Sequence, residues 1–327
     1  MSRMKAIKVE EFGEPEVLQL GEVEKPSPDE GEVLVEVKSA GVNYADTMRR
    51  RNQYVERQEL PFTPGSEIAG TVAEVGESVE GVNTGDRIVT LLGTGGYAEY
   101  VVAPARNLIP LPEGMDFDDA AAIPLQGLTA YHVLETSGQL KEGESVVVHA
   151  AAGGVGLLAV QMAKLMSASS VIATASTQEK LDLARDLGAD VLINYTEEDW
   201  PEKVREATEG NGADVILEMV GGDFPRKNLY CLNAFGRMVV YGAASGDRGS
   251  LVPAALMKKN HVVAGFYLPQ IMSRPNLFGP SLEKILGWIS SGDLKLTIGA
   301  RYPLEQAQEA HEALEGRKTT GKIILNP

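Results

Sequence analysis

A glycine-containing segment in the middle of the chain has the spacing of a loop that binds an anion. Residues 145–150 (Ser-Val-Val-Val-His-Ala) form an apolar run typical of a buried parallel strand, and residues 151–156 (Ala-Ala-Gly-Gly-Val-Gly) follow it. From Gly154 onward the apolar residues recur with helical spacing. A strand, a glycine loop and a helix together place backbone N–H groups and a helix N-terminus around a pyrophosphate. Glycines that serve only close packing give a similar pattern, so the loop alone leaves this alternative open.

The next strand carries the residues that distinguish one dinucleotide from another. Residues 170–175 form that strand, and Ser176, Thr177 and Lys180 follow it. A chain that binds NAD places an Asp or Glu about 20 residues past the loop, on the ribose hydroxyls. Here a hydroxyl and an ammonium group stand where that carboxylate is expected, and both can hold a 2′-phosphate. The pattern predicts NADPH as the cofactor; the alternative is that Lys180 is an ordinary solvated helix lysine.

Length and composition indicate a globular protein of two domains. The chain has 327 residues, of which 43% are apolar and 23% charged, and its net charge of −16 disfavours binding to nucleic acid. Cys231 is the only cysteine, so neither an intrachain disulfide nor a cysteine-rich zinc site can form. The four histidines are scattered and are expected to be structural or surface residues. No apolar signal core or membrane-spanning segment is evident, which predicts a cytoplasmic protein without a membrane partner.

The order of strand and helix signals divides the chain. Short alternating strands separated by turns dominate residues 1–110 and indicate a β-rich, barrel-like domain. Strands and helices alternate over residues 146–267, which predicts a doubly wound parallel sheet with its ligand at the carboxyl ends of the strands. We therefore expect an α/β protein with a cofactor domain at 123–267. The remaining residues, 1–122 and 268–327, are expected to form the other domain.

Six motifs are spread over nearly the whole chain. They are 41–46 (Gly-Val-Asn-Tyr-Ala-Asp), 64–70 (Pro-Gly-Ser-Glu-Ile-Ala-Gly), 125–131 (Leu-Gln-Gly-Leu-Thr-Ala-Tyr), 150–156, 176–180 and 321–324 (Gly-Lys-Ile-Ile). Together they resemble the medium-chain dehydrogenase/reductase superfamily, and within it the zinc-free quinone oxidoreductases that are similar to zeta-crystallin. The resemblance implies a GroES-like barrel domain beside the Rossmann domain.

The positions that bind catalytic zinc in metal-dependent relatives hold other residues here. Asn43 or Asp46 stands at the first ligand position, and the Gly-His-Glu of those relatives reads Gly65-Ser66-Glu67. Zinc prefers thiolate and imidazole ligands at defined spacing, and Glu67 alone does not form a site. We therefore expect no metal. Without a Lewis acid, dehydrogenation of simple alcohols is not expected.

The resemblance also implies roles for single residues. Asn43 corresponds to a contact of the nicotinamide ribose, and Ser176, Lys180 and Tyr195 correspond to the group around the 2′-phosphate. The residues expected at the cofactor are Asn43, Thr129, Gly153, Gly154, Val155, Gly156, Ser176, Lys180, Tyr195, Tyr241, Gly242, Ala243, Phe266, Tyr267 and Arg317. Tyr44 and Tyr54 are candidate proton donors, with solvent as the alternative.

These observations predict an NADPH:quinone oxidoreductase that transfers hydride to a quinone or similar conjugated carbonyl. One alternative is a reductase of alkenal, enone or enoyl-thioester double bonds. Another is a non-catalytic NADPH-binding protein of the crystallin-like or RNA-binding kind, which the acidic charge and the complete glycine loop disfavour. A homodimer is expected through the apolar strand at 262–267, because an unprotected sheet edge is a pairing surface.

Overall fold

The computed structural model describes residues 2–327. Its strands are β1 (Arg3–Lys8), β2 (Gln19–Glu24), β3 (Glu32–Val42), β4 (Glu67–Val75), β5 (Arg87–Leu91), β6 (Tyr100–Pro104), β7 (Ile109–Pro110), β8 (Ser145–Val148), β9 (Ser170–Ala175), β10 (Val191–Asn194), β11 (Ala213–Glu218), β12 (Leu232–Val240), β13 (Val262–Gly265), β14 (Ile298–Pro303) and β15 (Lys322–Asn326). Its α-helices are α1 (Tyr44–Arg50), α2 (Phe117–Ala120), α3 (Pro124–His132), α4 (Gly154–Leu165), α5 (Gln178–Asp186), α6 (Trp200–Ala207), α7 (Phe224–Cys231), α8 (Leu268–Met272), α9 (Pro275–Ser291) and α10 (Ala307–Glu315). None of the helices within 2–327 is both long enough and apolar enough to cross a bilayer.

The first compact unit is built on a seven-stranded sheet. Its strand order is β14-β15-β3-β4-β5-β7, and β6 pairs with β3. All of these pairs are antiparallel except that of β14 with β15. Side chains that point to one side of β3, such as Val33, Val35 and Val37, pack in one hydrophobic cluster with Ile68 and Ile323. The long strand β3 therefore organises this unit, and helix α1 follows it directly.

The second unit contains a six-stranded, fully parallel sheet. Its order is β10-β9-β8-β11-β12-β13, so the first strand in the sequence, β8, lies in the middle of the sheet. Val147, Ile172 and Ile216 of the three central strands are completely buried, as expected for a sheet that is covered on both faces. The chain crosses from one side of the sheet to the other at β8 and β11, where ligands of doubly wound sheets bind. The predicted fold class is confirmed.

The boundary between the units differs from the predicted one. The first unit comprises the chain up to Leu125 together with Ile298–Pro327, and the second unit comprises Gln126–Thr297. Helices α8 and α9 thus belong to the second unit and not, as expected, to the first. Ser281 on α9 is hydrogen-bonded to His132 (Oγ–Nε2, 3.0 Å), and the segment after α9 is held by two hydrogen bonds between Gln161 and Lys295. Amphipathic spacing predicts that a helix packs against something, but it does not specify the partner.

Candidate functional site

The glycine loop lies between β8 and α4, as the sequence predicts. Gly153 is the N-cap of α4, so the unbonded N–H groups of the first helical turn point out of this loop. A Cβ on Gly156 would lie 2.4 Å from the carbonyl oxygen of Ala150, and one on Gly154 would lie 1.9 Å from Oε1 of Gln126. Gly153 is less restricted, since its nearest neighbour would be 3.3 Å away. Gly156 is therefore required for close packing of the loop backbone, whereas Gly154 leaves room for the Gln126 side chain.

The residues predicted around a 2′-phosphate meet at two neighbouring strand ends. Ala175 and Asn194 are paired at the ends of β9 and β10, and the Tyr195 N–H donates to the Ala175 oxygen (3.1 Å). Ser176 and Tyr195 therefore follow adjacent strands at the same edge of the sheet. Lys180 lies in the first turn of α5, where its N–H donates to Oγ1 of the N-cap Thr177 (3.4 Å). Ser176 and Tyr195 thus follow paired strands, although one helix and one strand, α5 and β10, separate them in the sequence.

The other predicted cofactor residues of this unit lie at the carboxyl ends of strands or on α3. Tyr241 follows β12 and its N–H donates to the Glu218 oxygen (3.0 Å), while the Phe266 N–H, just after β13, donates to the Val240 oxygen (2.9 Å). Burial, and then the charge of Glu218, raises the pKa of the Tyr241 hydroxyl. Gly242, Ala243 and Tyr267 continue from the same two strand ends. Thr129 is almost completely buried on α3, one turn after the glutamine that contacts the glycine loop.

A buried polar network includes His149, which directly precedes the glycine loop. This network was not predicted from the sequence. Glu218 at the end of β11 accepts hydrogen bonds from Nδ2 of Asn228 (2.5 Å) and from the N–H groups of residues 220 and 221. Because its Nδ2 donates to Glu218, Asn228 offers Oδ1 to Nε2 of His149 (2.8 Å), which assigns the proton to that nitrogen. Nδ1 of His149 then accepts from Oγ1 of Thr174 (2.8 Å). Burial lowers the pKa of His149, so the ring stays neutral and ties β8, β9, β11 and α7 together.

A buried ion pair lies in the first unit, where Asn43 is found. Nζ of Lys322 lies 2.5 Å from Oε2 of Glu67 and donates to Oδ1 of Asn43 (2.9 Å). The second carboxylate oxygen of Glu67 accepts the N–H of Leu125 (2.7 Å). The Asn43 N–H donates to Asp46 (2.9 Å), which closes a capping box at the start of α1. Lys322 lies within the motif 321–324, but nothing local indicates that its ammonium is buried.

A second polar cluster surrounds α1. Arg50 is completely buried and donates to both carboxylate oxygens of Glu315 (3.0 Å each), and its Nη1 lies 3.0 Å from Nδ1 of His311. The other ring nitrogen of His311 lies 3.2 Å from the hydroxyl of Tyr97, which in turn bonds to Asp46 (3.3 Å). Burial, and then the neighbouring guanidinium groups, lowers the pKa of His311 to about 3. The ring is therefore neutral and structural.

The two tyrosines considered as proton donors have different surroundings. Tyr44 is the first residue of α1, and burial together with the charge of Glu315 raises the pKa of its phenol. Tyr54 lies in the loop after α1, and its ring centroid is 4.2 Å from the guanidinium carbon of Arg49. Arg317 is exposed and has a left-handed backbone (φ 55°) between α10 and β15. Tyr54 thus lies against one guanidinium group, whereas Tyr44 lies in the field of both Glu315 and neighbouring arginines.

Comparison with known proteins connects both units with dehydrogenases. Residues 29–113 match the alcohol dehydrogenase GroES-like domain, and residues 154–283 match the zinc-binding dehydrogenase family. The human quinone oxidoreductase is 37% identical over 327 residues, which cover 98% of this chain and 97% of the human protein. The chain belongs to the quinone oxidoreductase branch of the medium-chain dehydrogenase/reductase superfamily. The recognition made from the sequence motifs is confirmed, and the chain is an oxidoreductase of this superfamily.

Solved structures agree over the full length of the chain. The Escherichia coli quinone oxidoreductase complexed with NADPH superposes with a TM-score of 0.94 at 36% identity, covering 99% of this chain and 100% of the other. A mycobacterial protein, Rv1454c, also complexed with NADPH, gives a TM-score of 0.93 at 37% identity and the same coverage. These similarities place the GroES-like and Rossmann architectures in this chain.

The donor set of this chain does not fit the zinc ion that the name of one matched family implies. Within residues 2–327 no group of three or more His, Cys, Asp or Glu side chains is arranged to hold a metal. Ser66 donates its hydroxyl hydrogen to Asp46 (2.9 Å), and Glu67 is already neutralised by Lys322. An ammonium group next to the carboxylate repels a divalent cation. The residues at the positions that bind zinc in metal-dependent relatives thus belong to an internal polar network.

Proposed function

We propose that this oxidoreductase transfers hydride from NADPH to a quinone or a similar conjugated carbonyl, without a metal ion. The observation that carries the cofactor assignment is the pair of strand ends at Ser176 and Tyr195, with Lys180 on the following helix. A hydroxyl at this position can donate a hydrogen bond to a 2′-phosphate, whereas a carboxylate would repel it. The NADPH complexes of the Escherichia coli and mycobacterial relatives support the same cofactor.

When bound, NADPH supplies the hydride from C4 of its nicotinamide. In our proposal the N-terminus of α4 and the loop at 153–156 hold the pyrophosphate, and the His149 network keeps that loop in place. A quinone is electrophilic enough to accept hydride without a Lewis acid, so orientation and exclusion of water suffice. The overall reaction is NADPH, one proton and quinone to NADP⁺ and hydroquinone. The proton comes from solvent or from Tyr54.

The cofactor assignment is tested with Ser176→Asp and steady-state kinetics on a small ortho- or para-quinone. We expect kcat/KM for NADPH to fall at least about tenfold, because the new carboxylate repels the 2′-phosphate, while kcat/KM for NADH does not fall. Ser290→Asp on the exposed face of α9 adds the same charge elsewhere and should change neither value. Equal losses for NADPH and NADH would contradict the 2′-phosphate role. Tight NADPH binding without turnover of any quinone or enone would favour the non-catalytic alternative.

The second candidate function is reduction of a carbon–carbon double bond, and the position of Tyr54 supports it. Its ring is fixed against the Arg49 guanidinium, and a positioned phenol is what protonation of a substrate carbon requires. Tyr54→Phe should then abolish turnover of enones and leave quinone turnover intact, in assays that follow NADPH oxidation. Unchanged turnover of both substrates would remove Tyr54 from the chemistry.

We also propose a homodimer in which β13 pairs with its copy. This strand is bonded to β12 on one side and ends the parallel sheet on the other. Large apolar side chains are exposed near this edge, among them Val262 (51%) and Phe235 (70%). Val262→Glu should convert a dimer to a monomer in light scattering at micromolar concentration, because a charge at the pairing edge opposes association. Val55→Glu changes an even more exposed valine (74%) of the first unit and should leave the mass unchanged.

A further inference from the structure

Ala150, two residues after β8, has a left-handed backbone. Its φ angle is 49°, in a region that glycine enters freely but that is unfavourable for alanine because of its Cβ. Ser167 and Glu209 have similar φ angles (62° and 52°), but they are exposed in the turns that follow α4 and α6. Ala150 instead lies directly before the glycine loop at 151–156. A strained conformation persists only where the surrounding contacts determine it, so the neighbours of Ala150 must hold it.

The carbonyl group of Ala150 shows why this conformation matters for the glycine loop. Its oxygen accepts the N–H of Gly153, the N-cap of α4 (2.9 Å). The same oxygen would lie 2.4 Å from a Cβ on Gly156, so it fits closely against the first turn of α4. Because the backbone angles of Ala150 set the direction of this carbonyl, a return to ordinary backbone angles would turn it away from Gly153. The left-handed Ala150 therefore fixes the point at which α4, with its unbonded N–H groups, begins.

Thr174 on the neighbouring strand β9 contacts the residues on both sides of Ala150. Its Oγ1 donates to Nδ1 of His149 (2.8 Å), and its backbone oxygen accepts the N–H of Ala151 (3.0 Å). Thr174 and His149 are completely buried, so the hydrogen bond between their side chains is protected from water. The other ring nitrogen of His149 is held by Asn228 (2.8 Å). One threonine thus holds both chain neighbours of the strained alanine.

We infer that Thr174 is a positioning residue for the cofactor. By fixing His149 and Ala151 it keeps Ala150 left-handed, and the loop at 153–156 thereby keeps the form that receives the pyrophosphate. The inference rests on the proposed role of this loop toward NADPH and deepens it, and it does not depend on the hydride acceptor. A glycine at position 150 would adopt the left-handed backbone without help, so binding of NADPH should then no longer depend on the Thr174 hydroxyl.

The test is a double-mutant cycle of Thr174→Val and Ala150→Gly, in which the Kd of NADPH is measured by nicotinamide fluorescence. Valine keeps the branched shape of threonine but lacks Oγ1. With alanine at position 150, Thr174→Val should raise the Kd about five- to thirtyfold, the ratio by which left-handed backbone is disfavoured for an L-residue. In the Ala150→Gly background the same substitution should raise the Kd less than about twofold, because glycine has no such preference to overcome.

Two control variants separate this effect from a general change in stability. Ser167→Gly replaces a left-handed residue at the other end of α4, so it should not restore NADPH binding to Thr174→Val. Thr208→Val removes another hydroxyl hydrogen bond of the second unit, that to the Val204 oxygen (2.9 Å), and should leave the Kd unchanged. Circular dichroism verifies that each variant is folded. If Thr174→Val does not fold, Thr174→Ala carries the same comparison.

An equal increase of the Kd in the alanine and glycine backgrounds would overturn the inference, since Thr174→Val would then act through a general loss of packing. An unchanged Kd in Thr174→Val would overturn it as well. Failure of the proposed function has a different signature. In that case the wild type would turn over no quinone, while NADPH binding would still depend on Thr174 and Ala150→Gly would still relieve that dependence.

Discussion

Replacing Lys322 by Met is expected to destabilise the first unit strongly. The Lys322 and Glu67 side chains are 1% and 0% exposed, and their charged atoms lie 2.5 Å apart. Loss of the ammonium removes the countercharge of the Glu67 carboxylate and leaves it neutral donors such as the Leu125 N–H and the Asn43 amide. Burying a carboxylate without a countercharge carries a large desolvation cost in free energy.

The expected loss is about 3–5 kcal/mol in the free energy of unfolding, the range for breaking one side of a buried ion pair. For a unit of this size it corresponds to a melting temperature about 6–20 °C lower. Glu67→Gln combined with Lys322→Met removes both charges and retains an amide oxygen for the Leu125 N–H. We expect this double variant to lose less stability than the single lysine variant, and therefore less than the sum of the two single-variant losses in a double-mutant cycle.

Hydrogen exchange followed by mass spectrometry is the appropriate assay because it resolves the two units. Both tryptophans, Trp200 and Trp288, lie in the second unit, so their fluorescence does not report on the first. Peptides of β3 and β15 should lose protection in Lys322→Met. Lys318→Met changes an exposed lysine just before β15 and serves as the control. If the free energy of unfolding of Lys322→Met lies within about 1 kcal/mol of the wild-type value, the reasoning is refuted. That result would mean that water or another group compensates the charge of Glu67.

Three further predictions concern the loop, acid stability and the thiol. Gly156→Ala should lower the free energy of unfolding, measured by calorimetry, by about 1–3 kcal/mol, because the new Cβ would lie 2.4 Å from the Ala150 oxygen. Gly153→Ala is the control and should be tolerated, since its Cβ would lie 3.3 Å from the same oxygen. Equal melting temperatures of the two variants would contradict this prediction. His311 has its pKa lowered from 6.5 to about 3, so between these values the unfolded chain binds a proton that the folded one does not. Stability should fall with falling pH by about 1.4 kcal/mol per unit from this residue, and urea titrations of His311→Gln should show a correspondingly flatter dependence. Burial raises the pKa of the Cys231 thiol to about 12, so iodoacetamide at pH 8 should label it only after unfolding; labelling of the native protein would show that the thiol is accessible.

The sequence alone predicted the elements whose signals are local. The strand, glycine loop and helix at 145–165 and the following strand at 170–175 lie where they were expected, because strand runs, glycines and helical spacing act over a few residues. The same patterns, with the motifs, led to the superfamily and to both domain types. The roles of individual residues toward the cofactor stay predictions.

Only the tertiary structure decided which distant groups meet. Lys322 and Glu67 are 255 residues apart in sequence, and no periodicity relates a lysine near the C-terminus to a glutamate on β4. The contact of His149 with Asn228, and the packing of α9 on the second unit, likewise depend on which surfaces become neighbours after folding. Local patterns specify which face of an element is buried. The partner on that face follows from the arrangement of the whole chain, because burial favours any surface that excludes water and only the complete packing selects one.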